Sequence, residues 1–154
     1  MSRILGVDHG RVRLGLAISD EEGEVALPLM TISMQKPLVA LEQIRRIVGE
    51  KDVKEIVVGL PLSLSMQDTE ETQRARIFAK TLGEKLRLPV HLENEIFSTK
   101  LFETARSRRR GPTAGRRGRK GQEKMTVDAL AAADILQRYL DRHKDTSAGI
   151  PTHE

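Results

Sequence analysis

The order of the apolar runs along the chain is the feature that most constrains its fold. Three short aliphatic runs come first, at 3–7, 14–19 and 25–33, and polar turns separate them. Such runs predict β-strands, and the first two are antiparallel if the turn between them forms a hairpin. Pro28 interrupts the third run and suits a strand at the edge of a sheet, because proline cannot donate a ladder hydrogen bond.

After these runs, the pattern alternates between helices and strands. Apolar residues keep helical spacing from Leu38 to Val48. The remaining predicted elements are, in chain order, a strand at 55–59, a loop at 60–65, a helix at 68–86, a strand at 89–92, a helix beginning at Ser98 or Thr99, and a last helix at 127–141 capped by Thr126. Together they predict an α/β fold: a mixed five-stranded sheet, its first three strands antiparallel, flanked by helices.

Basic residues are unevenly distributed along the chain of 154 residues. The segment 106–120 holds eight of the 26 Lys and Arg residues and no acid, which leaves 18 basic against 22 acidic residues elsewhere, a net charge of −4. A basic segment on an acidic body suggests a polyanionic partner that binds at one place. With only three Phe, one Tyr and no Trp, the chain lacks an aromatic platform for stacking bases, so we expect it to grip phosphates.

Composition also narrows the location and organisation of the protein. The absence of cysteine excludes disulfides, thiol nucleophiles and cysteine zinc sites, and it favours a reducing compartment. No apolar run is long enough for a signal peptide or a membrane span, so we expect a cytoplasmic protein. The length fits one domain, expected at 1–142, with a mobile basic loop at 106–124 and a disordered tail at 143–154.

Three acidic residues lie at the ends of predicted elements. Asp8 follows the first strand, Glu95 follows the fifth, and Asp128 is in the first turn of the last helix. Carboxylates from separate segments are suitable ligands for Mg²⁺, and two such ions support phosphodiester cleavage. Structural roles are alternatives: Asp8 can cap its turn, Asp128 can complement the helix dipole, and Glu93 lies on the same strand face as Glu95.

Four stretches of the sequence together resemble one known family. They are GVDHGRVRLGLAISD, EIVVGLPLS, ENEIFST and VDALAAADILQRYL, and they span about residues 3–141 in order and spacing. The chain resembles the YqgF/RuvX family, whose members are described as Holliday junction resolvases or pre-16S ribosomal RNA nucleases. The resemblance implies an RNase H-like fold and metal-dependent phosphodiester hydrolysis.

Specific roles follow from the resemblance. It implies that Asp8, Glu95 and Asp128 are catalytic and hold Mg²⁺ or Mn²⁺, and it prefers Glu95 over Glu93. The reaction it favours is processing of the 5′ end of pre-16S ribosomal RNA during ribosome biogenesis. It also places a positively charged loop before the last helix, where this chain is basic. The expected nucleic-acid-binding residues are Arg106, Arg108, Arg109, Arg110, Arg116, Arg117, Arg119, Lys120 and Lys124.

The chain departs from the family pattern at several positions. His9 stands where the family usually has tyrosine, and Asn94 and Ile96 replace the acidic residue and the arginine that flank the catalytic glutamate. The sequence SLSMQDTE replaces a glycine-containing turn. Loss of that arginine removes an expected phosphate contact, while the three metal-binding carboxylates are kept.

Three other functions stay open from the sequence. The substrate could be branched DNA, as for a Holliday junction resolvase. The protein could instead be a non-catalytic RNA-binding factor in ribosome assembly or transcription, a reading that Asn94 and Ile96 keep open. The strand, Asp8 and Gly10 also resemble the phosphate loop of actin-like ATPases and sugar kinases, but those proteins need two lobes around the nucleotide. Partners are therefore precursor ribosomal RNA or branched DNA, with ribosomal assembly particles as a further candidate.

Overall fold

The computed structural model of the protein describes residues 3–96 and 120–149, with side chains for all of these except 96, 120–126 and 145–149. In chain order the described elements are β1 (Arg3–His9), β2 (Arg13–Ser19), β3 (Ala26–Ser33), α1 (Pro37–Glu50), β4 (Val53–Leu62), α2 (Glu70–Leu86), β5 (Val90–Ile96) and α3 (Lys120–Gly149). The helix predicted to begin at Ser98 or Thr99 lies outside the described residues.

The five strands form one mixed sheet in the order β3-β2-β1-β4-β5. The pairs β1–β2 and β2–β3 are antiparallel, whereas β1–β4 and β4–β5 are parallel. Both the mixed sheet and the antiparallel arrangement of its first three strands are confirmed. Pro28 lies in the edge strand β3 beside a register shift, where the proline breaks no central ladder.

Alternation along the strands divides the core between the two faces of the sheet. Leu5 and Val7 of β1 pack with α1 and α2 on one face, in a core that includes Ile44 and Leu82. Ala17 and Val57 face the opposite way and pack under α3. Asp8, two residues beyond Gly6 on β1, therefore lies on the α3 face.

Glycines on this face let α3 approach the sheet closely. A Cβ atom on Gly15 would lie 1.9 Å from the backbone oxygen of Asp128, and one on Gly59 would lie 2.5 Å from Cδ1 of Ile135. On the helix side, Ala129 and Ala132 are fully buried. Small residues on both surfaces thus bring Asp128 and Ala129 of α3 next to the end of β1, because Gly15 pairs with Asp8.

Two strands are longer than predicted. Leu60–Leu62 continue β4 and pair with Asn94–Ile96 of β5, so the predicted loop at 60–65 begins only at Ser63. Pro61 signals a strand break, but the β1–β4 ladder has ended at Val58. Beyond Val58, β4 pairs with β5 but no longer with β1. Pro61, which has no N–H to donate, can therefore face the unpaired side of β4.

The last helix is also longer than predicted. It covers Lys120–Gly149, so the predictions of a loop at 120–124 and of a disordered tail at 143–149 are wrong. Good helix formers such as Gln122 and Glu123 precede Thr126, which marked the expected start. Residues 141–147 are all polar, so apolar periodicity gave no sign that the helix continues. No proline interrupts the chain there. Among the described residues, no helix is both long and apolar enough to cross a membrane.

Candidate active site

The site is centred on Asp8, near the end of β1. Its Cα partner across the hairpin is Gly15, which lies directly beneath Asp128 of α3. Within the described residues, the Asp8 carboxylate has no hydrogen bond and no ion pair. It is therefore a partly buried acid that no cation of the described residues contacts.

Asp128 reaches the same place from α3. Its Oδ2 accepts a hydrogen bond from Nε of Arg13 at 2.9 Å, and the two side chains are 23% and 35% exposed, respectively. Arg13 is the first residue of β2, two positions from Gly15, so its side chain lies on the face that α3 covers. The helix carboxylate is thus held by an arginine of the hairpin.

Glu95 approaches from β5, on the same face of the sheet. Its side chain is 15% exposed, and its Oε1 lies 3.3 Å from Nη2 of Arg138 on α3. The Nε and Nη2 atoms of Arg138 are buried without a hydrogen bond of good geometry, so this contact is an ion pair only. Glu93 lies on the same strand face but contacts Arg142 near the end of α3.

Asp8 interacts electrostatically with each of the other two carboxylates. Burial, and secondarily repulsion from Asp128, raises the pKa of Asp8 from 3.8 to about 6. Burial raises the pKa of Glu95 from 4.5 to about 7; Asp8 adds repulsion and Arg138 opposes it. Asp8 is thus coupled to both other acids, whereas Glu93 is absent from these couplings. On β5, Glu95 is therefore the acid that Asp8 affects.

A large open cleft of about 1010 Å³ contains two of the three carboxylates. Asp8 and Asp128 line it together with Arg11 and Arg13 of the hairpin and with residues 61–65, at the end of β4 and in the loop that follows. Arg11 contacts Glu71 at 3.0 Å and Glu70 at 3.6 Å, both in the first turn of α2. The cleft thus brings two acids and two arginines to one open surface.

The donor set suits a divalent cation. Within the described part of the chain, no three His, Asp or Glu side chains are grouped as they would be around a bound ion. Carboxylate oxygens are nevertheless the ligands that Mg²⁺ and Mn²⁺ prefer, and Asp8 is unpaired among the described residues. Arg13 and Arg138 hold the other two acids. The residues fit a divalent ion once these arginines move.

The other positions singled out from the sequence have different outcomes. His9 packs on Phe78 of α2, with ring centroids 4.7 Å apart, and burial together with Arg74 lowers its pKa. Asn94 is exposed on the opposite strand face from Glu95. Of the expected nucleic-acid-binding residues, Lys120 and Lys124 begin α3, but their side chains are outside the described set. The arginines of the basic segment, 106–119, lie outside the described residues.

Two arginines of the site were missed in the sequence. Arg13 alternates with Gly15, which opposes Asp8, so strand periodicity places it beside the carboxylates. Arg138 follows the buried Ile135 by three residues, a spacing that puts both on neighbouring parts of one helix surface. The signal existed in both cases, but it required knowing that Gly15 lies against Asp128 and that Gly59 lies against Ile135.

Comparisons with known proteins agree with this architecture. The family model described as "RuvX: Holliday junction resolvase" matches residues 2–142. A relative from Koribacter versatilis is 38% identical over 140 residues, covering 91% of this chain and 87% of the relative. One from Anaeromyxobacter sp. is 41% identical over 140 residues, covering 91% and 97%. Both carry the name "Putative pre-16S rRNA nuclease".

Solved structures confirm the fold. Thermus thermophilus RuvC in complex with a Holliday junction substrate matches with a TM-score of 0.50 and 11% identity, covering 97% of both chains. The fowlpox virus Holliday junction resolvase matches with a TM-score of 0.51 and 12% identity, covering 91% of this chain and 99% of the other. The predicted RNase H-like fold is therefore confirmed, and the chain belongs to the RuvX family of Holliday junction resolvases.

Proposed function

We propose that this protein is a nuclease that hydrolyses phosphodiester bonds with Mg²⁺ or Mn²⁺ held by Asp8, Glu95 and Asp128. The observation that carries the proposal is the convergence of these three acids from β1, β5 and α3. Asp128 lies close enough to Asp8 to raise its pKa, and Asp8 in turn raises the pKa of Glu95. Burying repelling acids destabilises a fold, which is a cost typical of functional sites.

The three carboxylates share one task in the proposed reaction, which is to hold the metal ions. A divalent ion supplies a water molecule of lowered pKa and neutralises charge on the leaving oxygen. Asp8, at the centre, is placed to ligate such ions from the sheet, while Asp128 and Glu95 do so from opposite sides. The cleft along Asp8 and Asp128 receives the phosphodiester backbone.

For the substrate, we propose the 5′ end of pre-16S ribosomal RNA, in the cytoplasm. The names of the relatives support this substrate, and so does the basic segment 106–120 on an otherwise acidic chain. With so few aromatic residues, sequence-specific base stacking is a weak option. Ribosomal assembly particles that carry this RNA are then the natural partners.

Branched DNA is a second candidate substrate, favoured by the description of the matching family. Phosphate contacts do not distinguish RNA from DNA, whereas contacts to the 2′-hydroxyl do. The two substrates therefore have to be compared directly on the same protein preparation.

Single-turnover cleavage tests the proposal. Labelled pre-16S RNA and a labelled four-way DNA junction are each incubated with the protein in Mg²⁺, in Mn²⁺ and in EDTA. We expect metal-dependent cleavage of the RNA, and loss of most of it in Asp8→Asn, Glu95→Gln or Asp128→Asn, with little further loss in double variants because the three acids act as a unit.

Two variants serve as matched controls. Glu93→Gln removes an acid from the same face of β5, and Asp134→Asn removes an exposed acid near Glu95 on α3. Both should retain cleavage. Cleavage by Asp128→Asn at the wild-type rate would contradict the three-acid site, and preferred cleavage of the junction would move the substrate to DNA. A protein that binds RNA but never cleaves it would leave the non-catalytic RNA-binding factor as the function.

A further inference from the structure

Among the described residues, Arg13 differs from the other arginines near the site because it both contacts a site carboxylate and lines the cleft. Its Nε lies 2.9 Å from Oδ2 of Asp128, and Asp8 lines the same cleft. Arg138 contacts Glu95 but is not part of the cleft lining, and Arg11 lines the cleft but contacts Glu70 and Glu71 instead. Only a residue with both properties can exchange a carboxylate for a substrate phosphate.

The Arg13–Asp128 pair is not compatible with full use of Asp128 as a metal ligand. The guanidinium takes Oδ2 of the carboxylate, and a divalent cation beside it would repel the guanidinium charge. About a third of the Arg13 side chain is exposed, so it can turn without leaving the cleft. The nearest new anion in that cleft is the phosphate backbone of a bound strand, which a guanidinium recognises with two parallel hydrogen bonds.

We propose that Arg13 is a phosphate-binding residue that Asp128 holds until a divalent cation takes this carboxylate, after which Arg13 contacts the backbone of the bound nucleic acid. The inference rests on the proposed function, since it uses the same metal-binding acids. In the family pattern an arginine after the catalytic glutamate is the expected phosphate contact, but this chain has Ile96 at that position. Arg13 on β2 would supply the phosphate contact instead.

RNA binding with and without metal tests the exchange. Affinity for labelled pre-16S RNA is measured by fluorescence anisotropy in EDTA and in Ca²⁺, with gel electrophoresis to verify that the RNA stays intact. Arg11→Gln is the matched control, because it removes the same charge from the same cleft but its partners are not site carboxylates. Melting temperatures establish that the variants are folded.

We expect Arg13→Gln and Arg11→Gln to bind RNA alike in EDTA. In Ca²⁺, Arg13→Gln should bind about tenfold or more weakly than Arg11→Gln, as expected for the loss of a charge-assisted hydrogen bond. Arg13→Lys should lose only part of the RNA affinity measured in Ca²⁺, because lysine keeps the positive charge but cannot form the two parallel hydrogen bonds of a guanidinium. Calorimetry with Mn²⁺ alone should show that Arg13→Gln binds the metal at least as tightly as the wild type.

A metal-free measurement tests the same exchange independently. Asp128→Asn should release Arg13 in EDTA and strengthen RNA binding, and the gain should disappear in the Arg13→Gln/Asp128→Asn double variant. A gain that persists in the double variant would show only the loss of a negative charge and would overturn the inference. So would equal losses in EDTA and Ca²⁺, an Arg13→Gln protein that matches the Arg11→Gln control in Ca²⁺, or weaker Mn²⁺ binding by Arg13→Gln.

The two proposals fail in different ways. If the wild-type protein binds no Mn²⁺, the metal-dependent function itself is wrong. If it binds Mn²⁺ and cleaves RNA, but Arg13→Gln behaves like Arg11→Gln throughout, only the role of Arg13 is wrong and its pair with Asp128 is structural.

Discussion

Asp8 is an acid whose ionisation is unfavourable for folding but is required for its proposed role as a metal ligand. The protonated form is favoured in the folded chain, because burial and Asp128 raise the pKa to about 6 from 3.8. Between these two pH values the folded state binds more protons than the unfolded state, so stability falls as the pH rises through this window. At neutral pH the ionised carboxylate destabilises the metal-free protein.

Asp8→Asn should therefore stabilise the metal-free protein at pH 7.5. The gain should reach at most about 3 kcal/mol, from about 1.4 kcal/mol for each unit between the two pKa values, and it should shrink towards pH 4. Urea unfolding in EDTA at both pH values measures it. Asp134→Asn, on an exposed side chain, should change stability little at either pH. A variant that is less stable than the wild type at pH 7.5 would contradict the unfavourable charge at Asp8.

Divalent ions should reverse this penalty. If Asp8 is a metal ligand, Mn²⁺ at millimolar concentration should raise the melting temperature of the wild-type protein at pH 7.5, because a ligand that binds only the folded state stabilises it. Asp8→Asn should show a much smaller rise, whereas Glu93→Gln should respond like the wild type. Equal rises in all three proteins would place the metal elsewhere.

At the scale of elements, the close crossing of α3 over the β1–β2 hairpin positions the site. In Gly15→Ala the new methyl carbon would lie 1.9 Å from the backbone oxygen of Asp128, and a backbone atom cannot move aside as a flexible side chain can. We expect destabilisation of about 1–3 kcal/mol or more, as for other overpacked sites. Cleavage should fall as well, because Asp128 is displaced from Asp8.

Gly49→Ala is the control for this prediction. Gly49 lies near the end of α1, and a Cβ there would meet nothing within 4 Å. Alanine in a helix is favoured over glycine by roughly 0.5–1 kcal/mol, so this variant should be neutral or slightly more stable and should cleave normally. Urea unfolding compares the two variants, and a Gly15→Ala protein as stable as the wild type would show that α3 is free to shift.

Much of this arrangement could be predicted from local sequence patterns. Periodicity and turn residues placed every described strand and helix, because these signals depend on a few neighbouring residues. The three acids were singled out as candidates because each lies at the end of a predicted apolar element. Arg13 and Arg138 were missed because their contacts depend on which parts of the sheet and of α3 pack together. The full length of β4 was missed because it depends on pairing with β5, and that of α3 because its added residues are mostly polar and show no apolar periodicity.

At the scale of the whole molecule, charge is separated between the described body and the basic segment. The segment 106–120 has eight positive charges and no acid, and the rest of the chain has a net charge of −4. An acidic body repels a phosphate backbone, so affinity has to come from a few concentrated cations, including those that precede α3. The basic segment and the cleft would then act in sequence, one for capture and one for chemistry.

Replacement of six arginines by alanine tests the contribution of the segment to RNA binding. The positions are Arg108, Arg109, Arg110, Arg116, Arg117 and Arg119. Each phosphate contact on a single strand contributes about 0.7 to the slope of log affinity against log salt. The variant should therefore bind pre-16S RNA more weakly and with a flatter slope. The thermal transition should be nearly unchanged, because the core is built from other residues.

Arg45→Ala/Arg46→Ala on α1 is the control, since this helix covers the sheet face opposite to α3. It should leave the salt slope nearly as in the wild type. The comparison also separates capture from chemistry: at saturating protein, the six-arginine variant should cleave at a rate close to that of the wild type, because Asp8, Glu95 and Asp128 are intact. An unchanged slope would mean that the cleft arginines carry the binding, and a lost rate at saturation would mean that the basic segment takes part in the chemical step.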